Sequence, residues 1–102
     1  MAVLDKLEVL REVHPDQTEL DLVLGKLFDV ALATHRLRLE RYENALRQFE
    51  QRYGMDSPAF YRRFEAGEMG DAMDCFEWAG LCELRQDLEA KIRRLEAASD
   101  CQ

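Results

Sequence analysis

Residues 28–54 read FDVALATHRLRLERYENALRQFEQRYG, a run that contains no proline and ends in glycine. Its apolar and weakly polar side chains recur alternately four and three residues apart, which is the spacing of the buried seam of a coiled coil. We predict one helix from about residue 19 to residue 53, because Gly54 stands where a helix commonly ends in a left-handed residue. The seam consists of Phe28, Leu32, His35, Leu39, Tyr42, Leu46, Phe49 and Tyr53.

The length of this helix limits what can cover its seam. A helix of 35 residues is about 52 Å long, whereas a compact chain of about 100 residues has a radius of gyration of only about 13 Å. The helix therefore needs an equally long partner. Residues 71–98 predict a second helix, roughly 40 Å long, that can pack antiparallel against the first. Its apolar stripe consists of Trp78, Leu81, Leu84, Leu88, Ile92 and Leu95.

Two shorter helices complete the prediction. Residues 58–66 form a corner helix, in which Ser57 is the N-cap and Pro58 takes the first helical position. Residues 1–15 hold a short amphipathic helix that ends before a proline. No segment has the period of a strand, so the sequence predicts an all-α fold in one domain, residues 1–102. Its core is a long helical hairpin of residues 19–53 and 71–98, assembling as a helical bundle.

Charge and composition exclude several classes of function. The 102 residues include 14 Lys and Arg against 21 Asp and Glu, a net charge of −7. We therefore expect no direct nucleic-acid binding by the chain alone, since such binding needs a basic face. No apolar run approaches the roughly 18 residues that span a bilayer, so we expect no membrane partner. Three cysteines without an export signal indicate reduced thiols and a cytoplasmic protein.

The sequence offers no convincing set of catalytic or metal-binding groups. The two histidines, His14 and His35, belong to no HExxH pair, and His35 occupies a seam position typical of a core or interface residue. Cys75 and Cys82 are about two helical turns apart, too far to share a metal ion without other ligands. We therefore predict neither an enzyme nor a cofactor, and no metal site.

An acidic segment lies between Arg63 and Arg85, with six carboxylates, no Lys or Arg, and interleaved aromatic and methionine side chains. Residues two apart on a helix point about 200° apart, so Phe76 and Trp78 cannot face the same core and one of them should be exposed. In one interpretation the carboxylates lie near the N-terminus of a helix, where the helix dipole favours negative charge. The aromatic side chains then pack between the helices at the corner. In the other the segment is a docking patch for a basic partner. That patch consists of Glu68, Asp71, Asp74, Phe76, Glu77 and Trp78.

Residues 49–78 carry a long ordered motif, FExxYGMxSxxFYxxFExGExGDxxDxxEW. In this motif, and over about residues 40–95, the chain resembles small helical antitoxins of prokaryotic toxin–antitoxin operons of the TumA type. Their TumE-like toxin looks like a small nuclease. The resemblance implies an antitoxin that binds and neutralises a basic toxin, placing carboxylates where the phosphates of RNA would lie.

The seam also predicts self-association. We expect a homodimer in which the helices of residues 28–53 pair antiparallel, or join the helices of residues 71–98 in a four-helix arrangement. An alternative function is a homo-oligomeric coiled-coil scaffold without a toxin partner, and a neighbouring gene for a basic nuclease-like protein would favour the antitoxin. A second apolar line on the long helix is wide enough to contact more than one helix: Leu24, Leu27, Ala31 and Thr34.

Overall fold

The computed structural model describes residues 3–13 and 17–100, and these form four helices and no strand. The helices are α1 (Val3–Val13), α2 (Gln17–Tyr53), α3 (Ser57–Glu65) and α4 (Met73–Asp100). The predicted all-α hairpin with its corner helix is confirmed, and the boundaries of α2, α3 and α4 lie within two residues of the predicted ones. The predicted ends of the first helix, residues 1–2 and 14–15, lie outside the described residues. None of these helices is long and apolar enough to cross a membrane.

Helices α2 and α4 lie antiparallel and form a rod. Arg52 near the end of α2 pairs with Asp74 at the start of α4, whereas Arg36 in the middle of α2 pairs with Glu96 near the end of α4. The molecule measures 59 × 24 × 18 Å and has a radius of gyration of 19.4 Å. A compact chain of this size would have a radius of gyration near 13 Å, so the length of α2 dictates the shape.

The seam of α2 is the internal interface of this hairpin. Midway along the rod Leu32 packs with Leu88 and Ile92, and near the corner Leu46 and Phe49 pack with other core residues. The seam was predicted to pack against residues 71–98 and also to join two copies. In the structure α4 of the same chain covers it as the long antiparallel partner, so the seam itself is not open to a second copy. Of the remaining seam residues Tyr53 is 42% exposed, and four are partly buried: Phe28, His35, Leu39 and Tyr42.

Local backbone chemistry ends α2 and starts α3. Gly54 has φ +64°, and its N–H donates to the carbonyl of Glu50 at 2.8 Å, which closes the last turn of α2. The N-cap of α3 is Asp56, whose carboxylate accepts from the N–H of Ala59 at 2.8 Å. The sequence had predicted Ser57 as the cap. That prediction is wrong, because Ser57 is the first helical residue and its hydroxyl is used inside the core.

The two ends of the rod differ. At the corner, α3 and the chain around it close the hairpin. At the other end α2 is nine residues longer than α4, about 14 Å, and the shallow groove beside the end of α4 is lined by Phe28 and Ala98. The first turns of α2 therefore extend beyond the last residues of α4.

Candidate functional site

The corner, meaning α3 together with the adjoining ends of α2 and α4, is built on Trp78. Its indole is completely buried and stacks on the ring of Phe60, with the ring centroids 3.8 Å apart and the planes inclined by 3°. Phe49 and Tyr53 stack on it as well, each with its centroid 5.6 Å away. Stacked aromatic rings combine large apolar burial with specific geometry, so the corner is a rigid base for whatever lies on its surface.

A short chain of hydrogen bonds holds the buried indole in place. The Nε1–H of Trp78 donates to the hydroxyl of Ser57 at 2.9 Å, and both side chains are fully buried. The backbone N–H of Ser57 in turn donates to the carboxylate of Glu50 at 2.7 Å. The corner thereby satisfies an indole donor that would otherwise be buried without a partner, which explains why Ser57 faces inward instead of capping α3.

Asp74, one of the predicted docking residues, already makes hydrogen bonds to other side chains of the same chain. Its carboxylate accepts from the hydroxyl of Tyr53 at 2.6 Å and from Arg52 at 3.0 Å. The hydrogen bonds from Tyr53 and Arg52 lower the pKa of Asp74, and the same bond to Asp74 raises the pKa of the Tyr53 phenol. The charge of Asp74 therefore ties the start of α4 to the end of α2 and is already compensated.

Two further carboxylates of the acidic segment have partners inside the chain. The hydroxyl of Tyr61 donates to Glu83 at 2.7 Å, and this hydrogen bond raises the pKa of Tyr61 to about 12. Glu68 lies 3.6 Å from the side chain of Arg63, with both groups largely exposed. An exposed pair of this kind contributes little, so Glu68 is available to another protein at small cost, whereas Glu83 holds α3 against α4.

The side chains that remain free lie together around the first turn of α4. Met73 is 81% exposed and Phe76 is 52% exposed. Asp71 and Glu77 are exposed beside them, and within residues 3–13 and 17–100 neither makes an ion pair. We call these four residues the corner face. Phe76 also contacts Phe64 edge to face at 5.7 Å, which connects the face to the aromatic core beneath it.

The structure divides the predicted docking patch. Trp78 was expected on the patch and is instead fully buried beneath it, where its indole N–H donates to the hydroxyl of Ser57. The expectation that either Phe76 or Trp78 is exposed is confirmed, and the exposed ring is Phe76. The predicted site does not include Met73. Its place three residues before Phe76, on the same helical face, was the available signal.

No arrangement of side chains in the described part of the chain resembles a catalytic or metal centre. No group of three or more His, Cys, Asp or Glu residues is placed to hold a metal ion there. His35 borders the groove between α2 and α4, and its buried Nδ1 has no hydrogen-bond partner among residues 3–13 and 17–100. Burial raises the pKa of the Cys82 thiol, which is the opposite of what a reactive thiolate requires.

Comparison of the chain with protein-family models, with curated proteins and with solved structures gives no match. The resemblance to TumA-type antitoxins therefore stays a prediction. Among the exposed surfaces of the rod, the corner face has the most distinctive chemistry.

Proposed function

We propose that this chain is a cytoplasmic antitoxin that binds and neutralises a basic, nuclease-like toxin through the corner face. The observation that carries the proposal is the exposure of Met73 and Phe76 between two carboxylates, Asp71 and Glu77, that make no ion pair with any described residue. In this proposal the chain has no catalytic role of its own. It acts by covering the surface with which the toxin holds its substrate.

The chemistry of the corner face suits such a partner. Large apolar side chains that lose water on binding provide most of the affinity of protein interfaces, and Phe76 and Met73 are side chains of this kind. Charged groups at the rim speed association and select the partner. A protein that holds RNA presents basic groups for phosphates, and carboxylates of the corner face can occupy the same positions.

The rigidity of the corner supports the proposal further. Phe76 contacts Phe64, which packs on Phe60, and Phe60 stacks on Trp78, so the exposed ring stands on a continuous aromatic core. An anchor held in this way loses little conformational freedom when it binds, which favours affinity.

The experiment begins with the neighbouring gene. If that gene encodes a small basic protein that stops growth, co-expression of this chain should restore growth, and the two proteins should purify together. Binding of the purified pair is then measured by calorimetry for the wild type and for Asp71→Lys/Glu77→Lys, for Phe76→Ala, and for the control Asp87→Lys. Asp87 is an exposed acidic residue farther along α4.

Phe76→Ala should weaken binding by about tenfold or more, as expected for an apolar anchor. The double charge reversal should slow association and reduce its dependence on salt, whereas Asp87→Lys should leave both unchanged. If the corner-face variants bind as tightly as the wild type while their circular dichroism shows full helicity, the corner face is not the docking site.

The alternative function, a homo-oligomeric scaffold without a toxin partner, was inferred from the seam of α2. That support is weakened because α4 covers the seam. The scaffold would predict ordered assemblies of the chain alone and no effect of a neighbouring gene product on growth.

A further inference from the structure

The outer surface of α2 carries an apolar stripe that no other part of the described chain covers. Leu27, Val30 and Leu37 are 52%, 64% and 53% exposed. Thr34 lies between them, and its hydroxyl is already bonded to the carbonyl of Val30 at 2.9 Å. We call these four residues the outer stripe. At 100° per residue it lies about 130° around α2 from the seam, so α4 cannot reach it.

We propose that the outer stripe is the contact surface for a second copy of this chain, with the two α2 helices antiparallel. The stripe residues are spaced three, four and three apart, so their pattern is the same read in either direction. An antiparallel pair centred on residue 32 places Leu27 opposite Leu37 of the second copy and Val30 opposite its Thr34. A two-fold interface requires this self-complementarity, and every stripe residue then meets another one.

The charges beside the stripe favour the same arrangement. Lys26 and Glu40 flank it on one side, seven residues before and after Ala33. In an antiparallel coiled coil the pairs on one flank are offset by one residue from the centre of the apolar layers, here at Ala33 instead of residue 32, so Lys26 faces Glu40 of the second copy and the pair occurs twice. Both side chains are exposed, and in the described part of the chain neither makes an ion pair. In a parallel pair Lys26 would instead lie near Ala31, so complementary charge selects the antiparallel form.

A second copy fits the stripe better than a basic toxin does. The flanking charges are of both signs, Lys26 and Arg41 on one hand and Glu40 on the other, as a self-complementary surface requires. The stripe also ends about 24 Å along α2 from Tyr53 at the corner, which leaves the corner face free. The proposal is therefore independent of the antitoxin function, and a dimer could carry one partner at each corner.

The size of the contact sets its strength. Four stripe residues from each copy make an interface smaller than the roughly 800 Å² per partner of a standard one. We therefore expect a dimer that dissociates on dilution, which makes its equilibrium sensitive to single charges. Sedimentation equilibrium of the wild-type chain over a range of concentrations should show a monomer–dimer equilibrium.

The test is a charge swap at two exposed positions. Lys26→Glu alone and Glu40→Lys alone each place like charges opposite one another twice, and each should raise the dissociation constant by about tenfold. The double variant Lys26→Glu/Glu40→Lys restores opposite charges and should return the constant to near the wild-type value. Arg93→Glu, the control, makes the same kind of charge change on the exposed side of α4 and should change nothing.

Leu37→Glu should make the chain monomeric, because it places a carboxylate opposite the apolar side chain of Leu27 at both ends of the contact. Circular dichroism of every variant checks that the helices remain. A wild-type chain that stays monomeric up to about 1 mM overturns the proposal. So does a dimer that Leu37→Glu leaves intact, since the contact then lies elsewhere. Failure of the double swap to restore association overturns the antiparallel pairing.

Discussion

The hydrogen bond between Trp78 and Ser57 allows a quantitative test of how the corner is held together. Replacing Ser57 by Ala removes a single oxygen atom from a fully buried site and leaves the indole N–H of Trp78 without its acceptor at 2.9 Å. The N–H of Ser57, which donates to Glu50, is a backbone group and is retained in Ser57→Ala. The variant therefore removes the side-chain hydrogen bonds of Ser57, to the Trp78 indole and to the Cys82 thiol, and leaves its backbone bond in place.

The expected loss follows from the burial of both groups. A buried donor without a partner costs about 1–3 kcal/mol of unfolding free energy. For a domain of about 100 residues, each kcal/mol lowers the melting temperature by about 4–8 °C. Ser57→Ala should therefore melt roughly 8–16 °C below the wild type for a loss of about 2 kcal/mol. The assay is thermal unfolding followed by circular dichroism, with urea denaturation to give the free energy directly.

Two controls make the result interpretable. Ser99→Ala is the same chemical change at an exposed position of α4 and should alter stability by less than about 0.5 kcal/mol. In a Trp78→Phe background, where no indole N–H exists, Ser57→Ala should cost about 1 kcal/mol less than in the wild type. If the melting temperature of Ser57→Ala equals that of the wild type, the indole finds another acceptor. The hydrogen bond from Trp78 to Ser57 then does not stabilise the corner.

Further predictions concern the backbone and the pH dependence of the fold. Gly54→Ala should lower the unfolding free energy by about 1 kcal/mol, because φ is +64° there although the site has room for a methyl group. Gly25→Ala should instead raise it by about 0.5–1 kcal/mol, since Gly25 lies inside α2 with open space around it; equal effects in urea denaturation would contradict this reading of the two glycines. The lowered pKa of Asp74 stabilises the fold above the ordinary carboxyl value of 3.8, and this stabilisation is lost as the pH falls through the folded-state pKa. Asp74→Asn should therefore melt lower than the wild type at neutral pH and converge with it in acid, and parallel melting curves at all pH values would exclude this role.

The helices were predictable from the sequence because they are long and strictly periodic. Gly54 and the proline at residue 58 mark boundaries through local backbone chemistry, and the structure places those boundaries within two residues of the predictions. The periodic seam indicated that α2 needs a long partner helix. It could not show whether that partner belongs to the same chain, since a hairpin and a dimer bury the same periodic face.

The side chains of the corner were less predictable because tertiary contacts decide them. Asp56 and Ser57 are both good N-caps, and only the position of the Trp78 indole determines which of them caps α3. Helical geometry indicated that Phe76 and Trp78 diverge, yet the choice of the buried ring depends on where α3 packs. The pairing of Asp74 with Arg52 and Tyr53 joins residues more than 20 positions apart, which no local pattern reveals.

The contacts between the two long helices differ in sequence separation from one end of the hairpin to the other, and this difference affects how the chain folds. The side-chain hydrogen bonds that join α4 to the rest of the corner connect residues 21 or 22 positions apart, as between Ser57 and Trp78, whereas the pair between Arg36 and Glu96 spans 60 positions. Closing a shorter loop costs less chain entropy, so we expect the corner to assemble first. The contacts between α2 and α4 then form progressively toward the end of the rod where α2 extends beyond α4. Amide hydrogen exchange in the native protein should then run in the reverse direction, fastest where α2 projects past α4 and slowest around the tryptophan.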